Sequence, residues 1–120
     1  MSESNGYATR ESLFAVPPAR RFKDVECSLG KFRLRSLNDL EFCTYRSASV
    51  GKNGKVDTLA TVTANARLVV LCCVDADGNC LFTSSDVPAL QMLDAGQLAE
   101  LADACVDHCA LEQAEDDVKN

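Results

Sequence analysis

The chain has 120 residues, of which 47% are hydrophobic and 25% charged, so it is long enough for one domain with a modest core and too apolar for extended disorder. Its longest apolar run, residues 68–74, is far shorter than a membrane-spanning helix, and the polar residues 1–10 lack the apolar core of a signal peptide. The composition therefore predicts a soluble protein that stays in the cytoplasm and does not enter a membrane.

Charge is distributed unevenly along the chain. Residues 1–55 carry ten Lys or Arg and six Asp or Glu, a charge of +4, whereas residues 56–120 carry two and twelve, a charge of −10, which together give the net −6. Nucleic-acid binding needs clustered cations that contact phosphates, so the acidic second half argues against it. The basic half of one copy is able to meet the acidic half of another, although simple solvation of both faces explains the same pattern.

Composition also indicates the domain boundaries. Residues 1–18 are predicted to form a flexible arm, because the stretch is largely polar and ends in two consecutive prolines that impose an extended path. Residues 19–112 are predicted to form a single domain, and the acidic residues 113–120 are predicted to form a frayed tail.

The domain begins with a predicted β-hairpin. Residues 21–27 and 31–35 form its strands, and the Ser-Leu-Gly sequence at residues 28–30 forms its turn. In the second strand Phe32 and Leu34 alternate with three basic residues, so the apolar and basic side chains are expected on opposite faces.

A helix is predicted to follow the hairpin. Ser36 is expected to cap it, with Asp39 in the capping-box position, and the helix ends near residue 48, before a turn-rich break at residues 51–55. Its apolar face is assigned to Leu37, Leu40, Tyr45 and Phe42.

The second predicted helix begins at residue 57 or 58. Its last part, residues 68–74, is apolar on all sides and is equally compatible with a buried strand. The residues at helical spacing are Leu59, Val62, Ala66, Val69 and Cys73.

Two further helices are predicted after a turn at residues 75–79 and a short extended piece. Ser84 or Ser85 caps the third helix, with Pro88 in its first turn, and Asp94 caps the fourth. The apolar stripe of the fourth helix is Leu98, Leu101, Ala102, Cys105 and Cys109. The predicted fold is α+β, an N-terminal β-hairpin packed on a mainly α-helical body of three to four helices.

Catalytic chemistry has little support in this sequence. His108 is the one histidine, and no Gly-rich phosphate loop or nucleophile elbow occurs. A nucleophilic Cys105 would need an electropositive setting, whereas Asp103 and Asp107 are its neighbours. We therefore expect a non-enzymatic protein without catalytic or cofactor-binding residues.

Seven cysteines in a cytoplasmic chain are expected to be reduced thiols, most of them buried as small hydrophobic residues. Zinc sites usually contain ligands at Cys-x-x-Cys spacing, which this chain lacks, so no metal ligand is assigned. A metal or redox module built from Cys105 and Cys109 with Cys72, Cys73 and Cys80 is a lesser alternative.

Two surfaces are candidates for partner binding. One is a groove between the second and fourth predicted helices, which would hold an amphipathic helix of a partner. The other is the basic face of the second strand. The candidate residues are Leu59, Val62, Val69, Leu98, Leu101, Arg33 and Arg35.

Four segments occur in an order that resembles the tail assembly chaperones of long-tailed, siphovirus-type phages and prophages. They are RRFKDVEC, GKFRLRSLNDLEF, NARLVVLCCVDADGNCLFTSSDVPAL and LDAGQLAELADAC, within roughly residues 15–112. In that family a basic segment leads into a strand with an R-x-R-x-L step, followed by a helix opening in Ser-Leu, an apolar segment, a D-x-D-G…LF…D turn and a final helix near a Leu-Asp step. The shared order of these features carries the resemblance.

The resemblance implies a protein of phage morphogenesis that has no active site. Such chaperones bind the tape measure protein, keep it soluble, promote assembly of the tail tube protein around it and are absent from the mature virion. Many also occur in a longer, frameshifted form. The implied location is the cytoplasm of the bacterial host. Self-association has a route as well, because a lone two-stranded hairpin is unstable and is able to add to another copy's sheet.

The main alternative is a structural phage protein, such as a tail or head–tail connector subunit, that is retained in the virion. Mass spectrometry of purified particles distinguishes the two, because a chaperone is absent from them.

Overall fold

The structure is a computed structural model that describes residues 6–15, 17, 19–48, 55 and 58–110. Within these residues a three-stranded antiparallel sheet near the N-terminus packs on a mainly helical body, so the fold is α+β, as the sequence predicts. The strands are β1 (Phe22–Cys27), β2 (Gly30–Arg35) and β3 (Cys73–Val74). The helices are α1 (Arg10–Phe14), α2 (Asp39–Ser47), α3 (Thr58–Val62), α4 (Ala64–Cys72), α5 (Val87–Leu90) and α6 (Ala95–Cys109).

The predicted hairpin is confirmed in β1 and β2. The strands pair antiparallel, with Val25 opposite Phe32 and Lys23 opposite Leu34, around a tight turn at residues 28–29. Directly paired residues point to the same side of a sheet, so the face with Val25, Phe32 and Leu34 is the one that packs on the core.

The apolar run at residues 68–74 is helix and strand in succession. α4 ends at Cys72 and the chain continues directly into β3, which pairs with β2 through Cys73 opposite Leu34. Each of the two alternatives that the periodicity left open is therefore right for part of the run. The third strand is a finding of the structure, because two residues are too few to show a period.

α2 begins two residues later than predicted. Asn38 is the N-cap: its side chain accepts the N–H of Glu41 at 2.8 Å, and the Glu41 carboxylate accepts the N–H of Asn38 at 2.9 Å. The prediction of Ser36 as cap was wrong, because Ser36 is buried and extends the hairpin through two 2.8 Å bonds with the backbone of Arg21. With Asn38 as the N-cap, Glu41 rather than Asp39 occupies the position that completes the capping box.

The second predicted helix is divided at Thr63 into α3 and α4. Thr63 has φ −95° and ψ 5°, outside the helical range, and its hydroxyl donates to the carbonyl of Ala60 at 3.3 Å. Threonine hydroxyls compete in this way for backbone groups, so apolar spacing alone does not reveal the break. The predicted turn at residues 51–55 lies outside the described residues, apart from Lys55.

The third predicted helix is short and begins as a 3₁₀ turn, Ser84–Asp86, that leads into α5. Thr83, rather than Ser84 or Ser85, precedes the turn, and its N–H donates to the carboxylate of Asp86 at 2.9 Å. Pro88 lies in the first turn of α5, as predicted, where its missing N–H costs no helical hydrogen bond.

α6 is the element that local signals predict best. Asp94 is its N-cap and accepts the N–H of Gln97 at 3.1 Å. The inner side chains of the predicted stripe are buried or, at Cys109, half-buried, and the outer face is exposed at Glu100, Asp103 and Asp107.

The core lies where α4, α6 and the sheet meet. α6 packs along α4 and also contacts both strands of the hairpin. The largest fully buried side chains are Leu34, Leu68, Leu101, Val69, Cys72, Cys73 and Cys105. The longest helix, α6, has 15 residues, and no helix among the described residues is both long and apolar enough to cross a membrane.

The predicted N-terminal arm contains α1. Thr9 caps this helix, because its hydroxyl accepts the N–H of Ser12 at 3.0 Å while the Ser12 hydroxyl accepts the N–H of Thr9 at 3.0 Å. No residue of α1 is buried, so local capping rather than packing stabilises it. Residues 1–5 of the arm and the predicted acidic tail, residues 113–120, lie outside the described residues.

Candidate functional site

The predicted groove between the second and fourth helices is closed. α4 and α6 pack directly on each other, and Val69, Leu98 and Leu101 are buried in the core. These three residues are core residues rather than an open binding surface, which corrects the prediction. The physical reason is that the apolar stripes of the two helices cover each other.

The other two apolar candidates belong to α3. The side chain of Leu59 lies outside the described residues. Val62 is 64% exposed, and its carbonyl accepts a hydrogen bond from the side-chain amide of Gln91 at 3.4 Å. Val62 is therefore available at the surface but does not line the cleft described below.

The two basic candidates are engaged within the chain. Arg33 donates Nε to the carboxylate of Asp24 at 2.9 Å and Nη1 to the carbonyl of Ala76 at 3.1 Å. The hydrogen bond lowers the pKa of Asp24 and raises that of Arg33. Arg35 donates Nε to the carbonyl of Leu71 at 2.7 Å and so satisfies a carbonyl near the C-terminus of α4. The basic strand face thus holds the sheet to its neighbours.

An open apolar cleft lies between α2 and α4. It has a volume of about 430 Å³, and its surface is almost entirely apolar. Helix α2 and helix α4 form two walls, and Ser84 and Val87 border the cleft from the segment that leads into α5. The lining side chains include Leu40 and Thr44 on α2, Ala48 directly after α2, and Val70 and Leu71 on α4.

Leu40 stands at the rim of the cleft with 75% of its surface exposed. Leu40, Thr44 and Ala48 recur at four-residue intervals, so they line one side of α2. On the opposite wall Val70 and Leu71 are half-buried. An apolar element laid along α2 would therefore contact apolar surface on both sides.

Tyr45 fixes the separation of the two walls. Its hydroxyl donates to the carbonyl of Ala64 at 3.2 Å, and the guanidinium of Arg67 lies over its ring, 5.1 Å from the centroid. Arg67 is held in turn by the hydroxyl of Thr63 at 3.1 Å and the carbonyl of Ala60 at 2.7 Å. Burial raises the pKa of Tyr45, so its hydroxyl remains a hydrogen-bond donor.

An ion pair anchors the first turn of α2. Arg20 donates from Nη1 and Nη2 to the two carboxylate oxygens of Glu41 at 2.8 and 2.9 Å, and Nη1 also reaches the carbonyl of Ser36 at 3.1 Å. These bonds lower the pKa of Glu41 to about 2, against the opposing effect of burial. Glu41 is therefore ionised at neutral pH and fixes α2 to the residue that precedes the hairpin.

His108 links α6 to the same region. It is 4% exposed, and its Nε2 lies 2.9 Å from the carbonyl oxygen of Arg21. Because a carbonyl oxygen only accepts, Nε2 must carry the proton in this contact. His108 thus has a structural role in joining α6 to the chain before β1.

The cysteines differ in their surroundings. All seven are free thiols. Three are buried, Cys27 and Cys109 are half-buried, and Cys43 and Cys80 are exposed, so the expectation of burial holds for some of them and not for others. Within the described residues, no group of three or more His, Cys, Asp or Glu residues is arranged to hold a metal ion.

Sequence patterns missed the cleft because they assigned Leu40 to the core face of its helix. Leu37 and Tyr45 do pack partly on the core, but Leu40 turns outward. One signal was present: the run at residues 68–74 is apolar on all sides, which indicates a helix with more than one covered face.

Comparison with known proteins identifies no relative. No family model, no curated protein and no solved structure matches the chain. The structural evidence for a function therefore comes from the cleft between α2 and α4.

Proposed function

We propose that the chain is a phage tail assembly chaperone that binds helical segments of a tape measure protein in the cleft between α2 and α4. The observation that carries this proposal is the exposed Leu40 opposite Val70 and Leu71, an apolar surface open to solvent. The order of the four sequence segments supports the choice of client. The acidic second half of the chain disfavours nucleic acid as an alternative partner.

The cleft suits a helix better than a small molecule. Small-molecule sites combine an apolar pocket with a few free polar groups that converge on the ligand. At this cleft Glu41, the Tyr45 hydroxyl and Arg67 are already used in bonds within the chain. An amphipathic helix presents apolar side chains at i, i+3 and i+4, which matches a wall built on four-residue spacing along α2.

Burial of apolar surface supplies the binding free energy. Removing a leucine side chain such as Leu40 from water contributes about 1.5–3 kcal/mol. Association and side-chain ordering oppose it, so one cleft gives weak affinity. Several copies along one long client raise the overall affinity through multivalency. The exposed Asp103 and Asp107 on the outer face of α6 keep the complex negatively charged and disfavour its aggregation.

A tail assembly chaperone has three further partners in this proposal: the tail tube protein, a longer frameshifted form and a second copy of the chain. Tail tube subunits assemble around the bound client, and a longer frameshifted form shares the same cleft. A second copy is able to add to the sheet at β1, which is an edge strand of the described sheet. The proposal places the protein in the cytoplasm of the bacterial host and outside the mature virion.

Coexpression with a phage tape measure protein tests the proposal. We expect the client to be soluble and to co-purify with the wild-type chain. Leu40→Asp should reduce the co-purified client by about tenfold. The loss of one apolar contact and the burial of a charge should weaken the binding free energy by about 1.4 kcal/mol. The first turn of α2 tolerates an aspartate, since it lies at the positive end of the helix dipole.

Met92→Asp is the matched control for that experiment. Met92 is 84% exposed but does not line the cleft, so its replacement should leave co-purification unchanged. Equal losses in the two variants would contradict the assignment of the cleft, and a client that stays insoluble beside the wild-type chain would contradict the chaperone function. Detection of the chain in purified particles would favour the structural tail or connector protein instead.

A further inference from the structure

Two thiols meet where α4 and α6 end. Cys72 is the last residue of α4 and Cys109 the last of α6, and their Sγ atoms are 3.9 Å apart although 37 positions separate them in the chain. A disulfide has an S–S distance of about 2.05 Å. A displacement of about 2 Å, within the reach of side-chain rotation, is therefore enough to join them.

The two thiols differ in their access to solvent. Cys72 is fully buried, whereas Cys109 is half-buried at the edge of the core. A small oxidant therefore reaches Cys109 first. Cys105 also lies beside Cys72, but it is fully buried and so is shielded from direct oxidation.

We propose that Cys72 and Cys109 form an oxidative modification site, at which a hydroperoxide closes an intramolecular disulfide. The Cys109 thiol loses its proton as its Sγ attacks an oxygen of hydrogen peroxide: an S–O bond forms, the O–O bond breaks, and the leaving hydroxide takes up that proton to become water. The Cys72 thiolate then attacks Sγ of Cys109: the S–S bond forms, the S–O bond breaks, and a second water leaves with the proton that Cys72 released. Two thiols lose two electrons, and the peroxide gains them.

The surroundings favour Cys72 as the thiol that completes the bond. Hydrogen bonds from Cys105 and Cys109 lower the pKa of Cys72, and the positive charge of Arg35 acts in the same direction. The same hydrogen bond raises the pKa of Cys109. Cys72 is thus the better attacking thiolate within the protein, while Cys109 provides the access to peroxide.

The disulfide would join α4 to α6 on the face of α4 that points away from the cleft. Val69 and Cys72 are buried in the core, whereas Val70 and Leu71 line the cleft. Closing the bond should therefore stabilise the core without altering the client surface. Formation of this disulfide does not depend on whether the chain is a chaperone.

Treatment of the reduced full chain with hydrogen peroxide, followed by alkylation and intact mass spectrometry, tests the proposal. We expect two fewer alkylated thiols per chain and, after proteolysis, one crosslinked peptide that joins Cys72 to Cys109. Because the bond closes a long loop, the melting temperature should rise by about 5 °C or more and return after treatment with a thiol reductant.

Cys109→Ser should abolish both the crosslink and the rise in melting temperature. Cys43→Ser, which removes an exposed thiol on α2, should preserve both. A crosslink between Cys72 and Cys105, a disulfide between chains, or oxidation of Cys109 to sulfinic acid without any crosslink would each overturn the proposal.

Discussion

The face of α4 that carries Val69 packs against α6, whereas the face that carries Val70 and Leu71 borders an open cleft beside α2. The two neighbours differ in how much apolar surface they offer. α6 has 15 residues with a continuous buried stripe, whereas α2 has nine residues, none of which is buried. Helix α4 is apolar on both sides. The side next to α6 is covered and the side next to α2 is open, because α6 offers a continuous apolar stripe and α2 does not.

The two interfaces also differ in the forces that hold them. α6 is held mainly by buried apolar side chains, with His108 as a polar link. α2 is held by polar contacts at separate points, the Arg20–Glu41 pair and the hydroxyl of Tyr45. Contacts of this second kind fix the distance between two helices without filling the space between them, which explains how the cleft stays open.

The largest expected effect comes from making the same substitution on the two sides. Leu101→Ala removes a fully buried side chain between α6 and α4 and should lower the free energy of unfolding by about 2–5 kcal/mol. Leu40→Ala at the cleft rim should change it by less than about 0.5 kcal/mol, because the side chain is already exposed to water. Urea unfolding of both variants measures the difference, and similar losses would show that the cleft is filled rather than open.

A smaller effect is expected from His108. His108→Ala removes one of the two donors to the carbonyl of Arg21, the other being the N–H of Ser36, together with a buried imidazole, and should cost about 1–2 kcal/mol in the free energy of unfolding. His108→Gln keeps an N–H donor on a side chain of similar reach and should recover part of the loss. Chemical denaturation of the two variants checks this, and equal losses would mean that packing rather than the hydrogen bond is what His108 contributes.

A third effect is expected at the Arg20–Glu41 ion pair that anchors the first turn of α2. The pKa of Glu41 is about 2 in the folded state and 4.5 for the unperturbed group, so its ionised form stabilises the fold above about pH 4.5. That contribution is lost as the pH falls towards 2. Glu41→Gln should therefore lower the free energy of unfolding by about 1 kcal/mol at pH 7, since the pair is partly exposed, and the difference should shrink towards zero near pH 2.

Asp39→Asn is the matched control for the pH experiment. It removes a carboxylate from the same turn of α2 without touching the Arg20 pair. If the Asp39 variant showed the same pH dependence as the Glu41 variant, general charge in the first turn, rather than the ion pair, would be the anchor. Unfolding free energies at a series of pH values decide between the two.

Much of the fold could be predicted because its signals are local. The hairpin follows from alternation around a Ser-Leu-Gly turn, and α6 follows from the cap at Asp94 and the stripe that begins at Leu98. The start of α2 was misplaced because Ser36 and Asn38 are both good caps, and only the pairing of Ser36 with Arg21 separates them. The candidate groove was predicted on the face of α4 that α6 covers, whereas the open cleft lies on the other face of the same helix.

The sequence by itself determined which segments are strands and helices and which of their faces are apolar, because alternation, capping and turn chemistry act between residues a few positions apart. Only the tertiary structure decided which apolar faces are covered. The burial of Leu101, the exposure of Leu40 and the approach of Cys72 to Cys109 all depend on how helices that are distant in the chain pack together. No local pattern records that packing, since it is a property of pairs of elements rather than of any one of them.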